Sequence, residues 1–297
     1  MHLDWRKTGI VAGFGSLALL TIGVAGVLWG GLIYANLRTG SGVPWSLPVM
    51  ILVLWLTWQY LSGKGWPSRT AAARKRLLRA NPVTAPAMMW SAVAGIFAIV
   101  ALAGLWIVLA CLMKMPPNPL LPGNFASSPI LVASIIMGAS LVAPIVEESS
   151  VRGYLQSRLE REFTPIAAVA LSSIIFALAH VSQGLSVPKL VIYFLVGVTF
   201  GTLALLNDSI LPVIPIHIVA DLLFFVCIWP YDGKRKLVWQ DGTDAWFWVH
   251  VAQVMTFTLL SLLAFKQLSR QQKGSHVLNR PEIPLDSGIH SQQYFQA

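Results

Sequence analysis

The chain has 297 residues, of which 56% are hydrophobic and 11% charged, and its mean hydropathy is +0.67. Soluble domains carry about 25% charged residues, so this composition excludes an ordinary soluble enzyme. The hydrophobicity also excludes a disordered chain. The net charge of +9 does not predict a nucleic-acid partner, because no basic run alternates with aromatic residues on a polar surface.

Eight apolar segments are candidate membrane spans, since a helix needs about 20 mostly apolar residues to cross a bilayer. They are residues 9–35, 43–62, 85–112, 129–146, 164–182, 190–206, 210–229 and 246–265. The predicted fold is therefore all-α, a polytopic membrane bundle of about eight transmembrane helices. The first segment is too long for a signal-peptide core, so we expect it to be retained.

The Lys and Arg residues predict the orientation of the chain. With the N-terminus inside, 15 of the 21 Lys and Arg residues fall on the cytoplasmic side and 6 outside. The positive-inside rule then places both termini in the cytoplasm, with the cell membrane as the expected location. The cytoplasmic set includes a basic loop at 63–84, which we expect to fix topology and to meet anionic lipid.

The predicted organisation has four parts. Residues 1–128 hold three transmembrane helices and the basic loop, and residues 129–229 hold the polar groups described next. Residues 230–265 carry the last transmembrane helix, and residues 266–297 form a polar tail that we expect to be mostly disordered.

A few polar side chains lie inside apolar segments or on their direct helical continuation. A charge at the bilayer centre costs roughly 2.5–3.5 kcal/mol on insertion scales, so such groups need mutual satisfaction or a water-filled cavity. They are Glu147, Glu148, Arg152, Asp221, His180 and His217. A further histidine, His250, lies near the end of the last span with no polar partner in helical register, and we interpret it as interfacial.

The first cluster is formed by Glu147, Glu148 and Arg152. On a helix Glu148 and Arg152 are four residues apart and can pair, while Glu147 points about 100° away and stays free for other chemistry. Pro144 removes a backbone donor just before the pair. The alternative is that the span ends at Val146 and that the charged residues form a solvated cytoplasmic end.

The two histidines have both structural and chemical interpretations. His180 lies deep in the fifth segment, where a single histidine commonly bonds between helices. His217 and Asp221 are four residues apart on the seventh segment and form either a structural pair or part of a site. Together with Glu147 they make a set that can activate water, since a glutamate whose charged form is disfavoured by burial is a better base. The same atoms are also among the usual ligands of zinc.

Other proteolytic signatures do not occur in the sequence. It has no HExxH and no GxSxG motif. Asp221 is the only aspartate inside a predicted span, so a two-aspartate intramembrane mechanism lacks its second member.

Three short motifs resemble those of a known family. Glu147-Glu148…Arg152 reads EExxxR, Phe176…His180 reads FxxxH, and His217…Asp221 reads HxxxD. This ordered trio in a polytopic chain resembles the CPBP family, the CAAX-prenyl-protease and bacteriocin-processing membrane proteins, which are also called intramembrane glutamic endopeptidases. The resemblance covers residues 129–229 and makes this part the expected catalytic core.

The resemblance implies a role for each matching residue. Glu147 would be the general base that activates water with help from His180, and His217 and the residue at 221 would stabilise the oxyanion. Glu148 and Arg152 would support the site, with Arg152 keeping Glu148 ionised. Type II CAAX endopeptidases usually have Asn at the last motif position. Asp221 instead donates to an oxyanion only when protonated. Its other expected roles are to orient His217 or to bind a metal.

The resemblance implies an intramembrane endopeptidase that hydrolyses a peptide bond of a membrane-associated or lipidated protein or peptide. No cofactor is expected. One alternative is a zinc hydrolase at the same site, and another is a non-catalytic scaffold or immunity protein that uses the polar cluster to hold helices together. The site requires the fourth helix to run beyond Glu147 towards Glu160, so that Glu147 comes within one-water reach of both histidines.

Overall fold

The computed structural model describes residues 4–39, 42–115, 129–228 and 235–278, which form ten helices and no β-strand. In chain order the first five are α1 (Trp5–Arg38), α2 (Ser46–Leu61), α3 (Ala71–Leu78), α4 (Ala85–Leu112) and α5 (Pro129–Glu147). The others are α6 (Pro165–Ala179), α7 (Val187–Asn207), α8 (Val213–Leu223), α9 (Val238–Asp241) and α10 (Ala245–Leu278). Helix α5 continues as a π-helix (Glu148–Gln156) and a last turn (Ser157–Leu159), and α8 continues as a π-helix (Phe224–Ile228).

Each of the eight predicted apolar segments corresponds to one helix, and the predicted all-α membrane bundle is confirmed. Five helices are long and apolar enough to cross a membrane: Trp5–Arg38, Ala85–Leu112, Leu131–Leu159, Val187–Asn207 and Ala245–Gln272. Three apolar helices are shorter: Ser46–Leu61, Pro165–Ala179 and Val213–Ile228.

The core lies where α4, α7, α8 and α10 meet. Phe200 and Leu203 of α7 and Val213 of α8 are fully buried there, together with Ala94 of α4 and Leu268 of α10. Helix α7 also packs closely on α6 through its glycines. A Cβ atom at Gly197 would lie 2.9 Å from the Cα atom of Ser173, so a larger residue has no room at this crossing.

The basic loop is folded against the bundle. Arg74 is buried, and its guanidinium donates to the backbone carbonyls of four residues between positions 60 and 67. Arg79 donates to Glu160 at 2.9 Å and to Asp208 at 2.8 Å, which ties the loop to the ends of α5 and α7. The loop therefore also has a structural role besides those expected from its charge.

The last helix extends beyond the predicted end of the span at residue 265. It continues to Leu278, so residues 266–278, which we assigned to the polar tail, are helical. The buried side chain of Leu268 explains part of this extension, because it packs in the core beyond the end of the apolar segment. Residues 279–297, the remainder of the predicted tail, lie outside the described residues.

Candidate active site

The fourth transmembrane helix continues past Glu147, as we predicted from the geometry that the site needs. The helical path runs without interruption to Leu159, but its second part is a π-helix. Such i→i+5 segments are rare and are frequent at functional sites. Two serine hydroxyls bond to backbone carbonyls where the α-helix changes to the π-helix. Ser149 donates to the carbonyl of Ile145 at 2.6 Å, and Ser150 donates to that of Val146 at 2.7 Å.

Glu148 and Arg152 form an ion pair inside the bundle. Both side chains are 0% exposed, and Arg152 Nη1 lies 3.4 Å from Glu148 Oε1. The guanidinium also donates to the carbonyl of Gly197 at 3.3 Å and lies 4.2 Å from the centroid of the Phe176 ring. The predicted pair is therefore present. The alternative of a solvated helix end is wrong, because neither charge reaches solvent.

His217 lies between two sets of carboxylates. Its Nδ1 is 2.8 Å from Glu148 Oε1, while its Nε2 is 3.6 Å from Asp221 Oδ1 and 3.8 Å from Glu147 Oε2. An ionised carboxylate only accepts hydrogen bonds, so Nδ1 donates to Glu148 and the ring orientation is fixed from this side. The imidazole thus links the buried ion pair to the free glutamate.

We predicted that His180 lies deep inside the fifth span. It is instead the first residue after α6 and therefore lies at a helix end. The helix is shorter than the apolar segment, ending at Ala179. The Nδ1 of His180 donates to the carbonyl of Phe176 at 2.9 Å, since a carbonyl can only accept. This leaves Nε2 directed towards Glu147, with 4.0 Å between Nε2 and Oε2.

Glu147 faces two cavities that meet at its carboxylate. One, of about 140 Å³, is enclosed mainly by α4, α7 and α8. The other, of about 750 Å³, lies between α1, α5 and the end of α6. The residues that line both cavities are Ala143, Glu147, His180 and Phe225. The Glu147 side chain is 12% exposed and its Oε2 is buried, so the residue borders these cavities without lying in bulk solvent.

Two aromatic residues near the site were not predicted from the sequence. Tyr193 stacks on the His180 ring at 4.1 Å between centroids, and Phe225 stands where the two cavities meet. An aromatic residue inside an apolar span carries no signal in one sequence. We predicted no polar partner for His250 in helical register, and this was wrong. Its Nδ1 is 2.9 Å from Oε1 of Gln253, three residues further along the same helix, and Gln253 also donates to the carbonyl of Val100.

The structure thus brings together all four residues that we expected to be catalytic. The Nε2 atoms of His180 and His217 lie within 4.0 Å of Glu147 Oε2, and Asp221 adjoins His217. One water molecule bridges two polar atoms at such separations. Among the described residues no group of three or more His, Cys, Asp or Glu has the arrangement of a metal site.

Comparison with known proteins identifies the segment that carries this site. Residues 127–223 match the family model described as Type II CAAX prenyl endopeptidase Rce1-like. No curated protein and no solved structure matches the chain significantly. The match spans all three motifs and confirms the resemblance drawn from them. Over residues 127–223 this membrane protein is therefore similar to the CAAX-type intramembrane endopeptidases of the CPBP family.

Proposed function

We propose that the protein is an intramembrane endopeptidase that cleaves its substrate by glutamate-activated water. The observation that supports this proposal most directly is the position of Glu147, whose Oε2 lies 4.0 Å from His180 Nε2 and 3.8 Å from His217 Nε2 at the junction of two cavities. A water in this triangle contacts a base and two imidazoles at once. The family match supports peptide-bond hydrolysis as the reaction.

In the proposed reaction Glu147 takes a proton from water while the oxygen attacks the peptide carbonyl. The tetrahedral intermediate collapses when the C–N bond breaks, and Glu147 returns the proton to the leaving amine. His180 keeps its Nδ1 proton on the Phe176 carbonyl, so its Nε2 is free to accept a hydrogen bond from the same water. General base catalysis of this kind contributes about 10²–10⁴-fold to a rate.

The oxyanion is stabilised from the other side of Glu147. Because Nδ1 of His217 is bonded to Glu148, its Nε2 donates only when the ring carries both protons. Glu148 and Asp221 then compensate that positive charge. Asp221 donates to the oxyanion itself if it holds a proton. The site contains three carboxylates and one guanidinium, and a buried excess of negative charge is costly, so the cluster retains protons.

The remaining parts of the proposal concern the surroundings of the reaction. The substrate is a peptide or protein held at the membrane, both termini of the enzyme face the cytoplasm, and the enzyme acts in the cell membrane. The reaction needs no metal or other cofactor. Metal analysis of the purified protein, with cleavage measured before and after a chelator, tests this last point against a zinc hydrolase.

The decisive test replaces Glu147 by glutamine in the native host and compares membrane-protein fragments with those of wild-type cells. We expect a defined set of proteins to remain uncut, because glutamine has nearly the same shape but cannot accept the proton. Glu162→Gln is the matched control, since its side chain is also 12% exposed but it pairs with Arg158 at a helix end. Unchanged biological function in Glu147→Gln would instead support the non-catalytic scaffold.

A further inference from the structure

The smaller of the two cavities is an apolar pocket beside the proposed catalytic residues. Three of its lining residues, Trp106, Ile192 and Ile228, are 3%, 3% and 5% exposed and pack together as one cluster. Apart from the four proposed catalytic residues and Tyr193, every residue that lines this cavity is aliphatic or aromatic. Ligand sites in proteins have this composition, a mostly apolar wall with a few convergent polar groups.

The two proposed oxyanion residues border the smaller cavity only. His217 and Asp221 line it and do not line the larger cavity, whereas Glu147 and His180 line both. In the proposed reaction the oxygen of the peptide carbonyl points to His217 and Asp221, so this carbonyl lies at the smaller cavity. The Cα atom of the residue that supplies the carbonyl is about 1.5 Å from the carbonyl carbon. The side chain of that residue is therefore the part of the substrate that enters the cavity.

The volume of the smaller cavity limits its occupant to one side chain. A protein cavity of about 150 Å³ lined by Leu, Ile and Phe binds one benzene molecule. The smaller cavity, of about 140 Å³, has room for a group of similar size, such as the side chain of a leucine or a phenylalanine. A prenyl or acyl chain has many more carbon atoms than this space holds.

Charge limits the occupant as well. Glu147 and Asp221 lie on the wall of the smaller cavity, and no Lys or Arg among the described residues lines it. An acidic side chain would add a further negative charge to a site that already holds three carboxylates. A charged side chain of either sign would also lose its water among the apolar lining, which is costly. These costs favour an uncharged occupant.

The smaller cavity is only partly built from the segment that matches the family model. The four proposed catalytic residues lie within residues 127–223, but the α4 wall and the π-helix after α8 lie outside them. The chemistry of the site thus belongs to the matched segment, while the shape of the cavity also depends on the rest of this chain. The lining residues outside the match are Ile99, Leu102, Ala103, Trp106, Phe224, Phe225 and Ile228.

We propose that the smaller cavity binds the side chain of the substrate residue that directly precedes the cut. This inference rests on the proposed endopeptidase function and specifies its substrates. They carry an unmodified apolar residue of medium size before the cut, such as leucine or phenylalanine, and not a charged or lipid-modified residue. Leu102 and Ala103 of α4 help to set this preference through the volume that they leave open.

The test changes the volume of the smaller cavity in both directions without touching the catalytic residues. Ala103→Leu reduces the volume and Leu102→Ala increases it. Ala92→Leu and Leu109→Ala are the matched controls, since both residues are partly buried on α4, as Ala103 and Leu102 are, and do not line the cavity. Each control also lies on the same face of α4 as its counterpart, about three and about two turns away.

The measurement uses a precursor found in the native host. Proteins that accumulate uncut with Glu147→Gln are identified by mass spectrometry, and the fragments from wild-type cells give their cut sites. In one precursor the residue before the cut is replaced in turn by alanine, leucine, phenylalanine, tryptophan and aspartate. The cleavage rate of each form is measured in cells that carry wild type, a cavity variant or a control. A misfolded enzyme lowers all rates together, so the ratios between precursors report on the cavity.

We expect the natural cut sites to follow apolar residues of medium size, and wild type to cut the leucine and phenylalanine precursors fastest and the aspartate precursor slowest. One methylene group in an apolar pocket changes discrimination by about 10–200-fold. Ala103→Leu should therefore lower the ratio of leucine to alanine cleavage by about tenfold or more. Leu102→Ala should raise the ratio of tryptophan to leucine cleavage by a similar factor. Both controls should keep the ratios of wild type.

Two results would overturn the cavity proposal and leave the endopeptidase intact. One is unchanged ratios in both cavity variants, and the other is natural cut sites that follow charged or lipid-modified residues. If Ala103→Leu does not fold, the opposite shift expected for Leu102→Ala decides between the outcomes. If Glu147→Gln cells accumulate nothing, the proposed function fails and the cavity proposal fails with it.

Discussion

The two GxxxG pairs of this chain have opposite environments. Gly197 and Gly201 of α7 are tightly packed, the first against Ser173 and the second against Gln156 and Val169. A Cβ atom added at Gly26 or Gly30 of α1 would meet nothing within 4 Å. The same motif thus has two different outcomes. On one side of α5, which we call the packed side, it holds two helices together. On the other side of α5, which we call the open side, it borders the larger cavity, an open groove.

The two neighbouring glutamates show the same division. Glu148 points to the packed side, where Arg152 and His217 compensate its charge. Glu147 borders the groove on the open side, and its Oε2 lies 3.8 Å or more from the two histidines with no direct hydrogen bond, whereas Glu148 accepts one from His217. Hydrogen-bonded and paired charges on the packed side position the imidazole of His217. The free carboxylate on the open side is left for substrate chemistry. The difference separates the glutamate that is paired within the fold from the one that we propose as the catalytic base.

The largest expected effect comes from removing the charge on the packed side. Glu148→Ala leaves Arg152 buried without its carboxylate, which should cost about 3–5 kcal/mol of folding free energy. Glu147→Ala should change stability by less than about 1 kcal/mol, because Glu147 Oε2 makes no direct hydrogen bond and its contacts with the two histidines are 3.8 Å or longer. Unfolding of the purified variants in detergent and denaturant measures both values. Equal losses would show that the two glutamates do not differ in structural role.

A smaller effect is expected from adding one methyl group to each GxxxG pair. Gly197→Ala should destabilise the protein by about 1–3 kcal/mol, since the new Cβ meets the backbone of Ser173. Gly30→Ala should stabilise it by about 0.5–1 kcal/mol, since alanine is the better helix residue and has room. The same unfolding measurement applies. A loss of stability in Gly30→Ala would mean that the α1 glycines are packed in the membrane.

The comparison also shows what one sequence can and cannot predict. Charge within apolar segments located Glu147, Glu148, Arg152 and Asp221, because charge is costly there whatever the fold. Helical spacing predicted the Glu148–Arg152 pair and the proximity of His217 to Asp221. Each of these two pairs lies within one helical segment, and the first forms even though its segment is a π-helix.

Other features depend on tertiary structure and were not predictable. Nothing in the sequence distinguishes the packed GxxxG pair from the open one, since the neighbouring helix decides the outcome. The π-helix from Glu148 to Gln156 changes the angular positions that an α-helix predicts. The stacking of Tyr193 on His180 joins residues of two different helices, so no residue spacing in the sequence predicts it.

The smallest expected effect is that of Asp221→Asn, a change next to His217 in the smaller cavity. Asparagine donates a hydrogen bond without an added proton, so Asp221→Asn should keep the cleavage rate within about tenfold of wild type. Asp221→Ala should lower the cleavage rate by about 10²–10³-fold, as expected when one oxyanion donor is removed. An aspartic acid that donates must ionise as pH rises, so wild-type cleavage should fall towards alkaline pH more steeply than cleavage by the Asn variant, in which only His217 loses a donor proton. Initial rates across pH on an identified substrate measure both effects. An inactive Asp221→Asn protein would show that the negative charge is needed, and Asp221 would then act by compensating a positively charged His217.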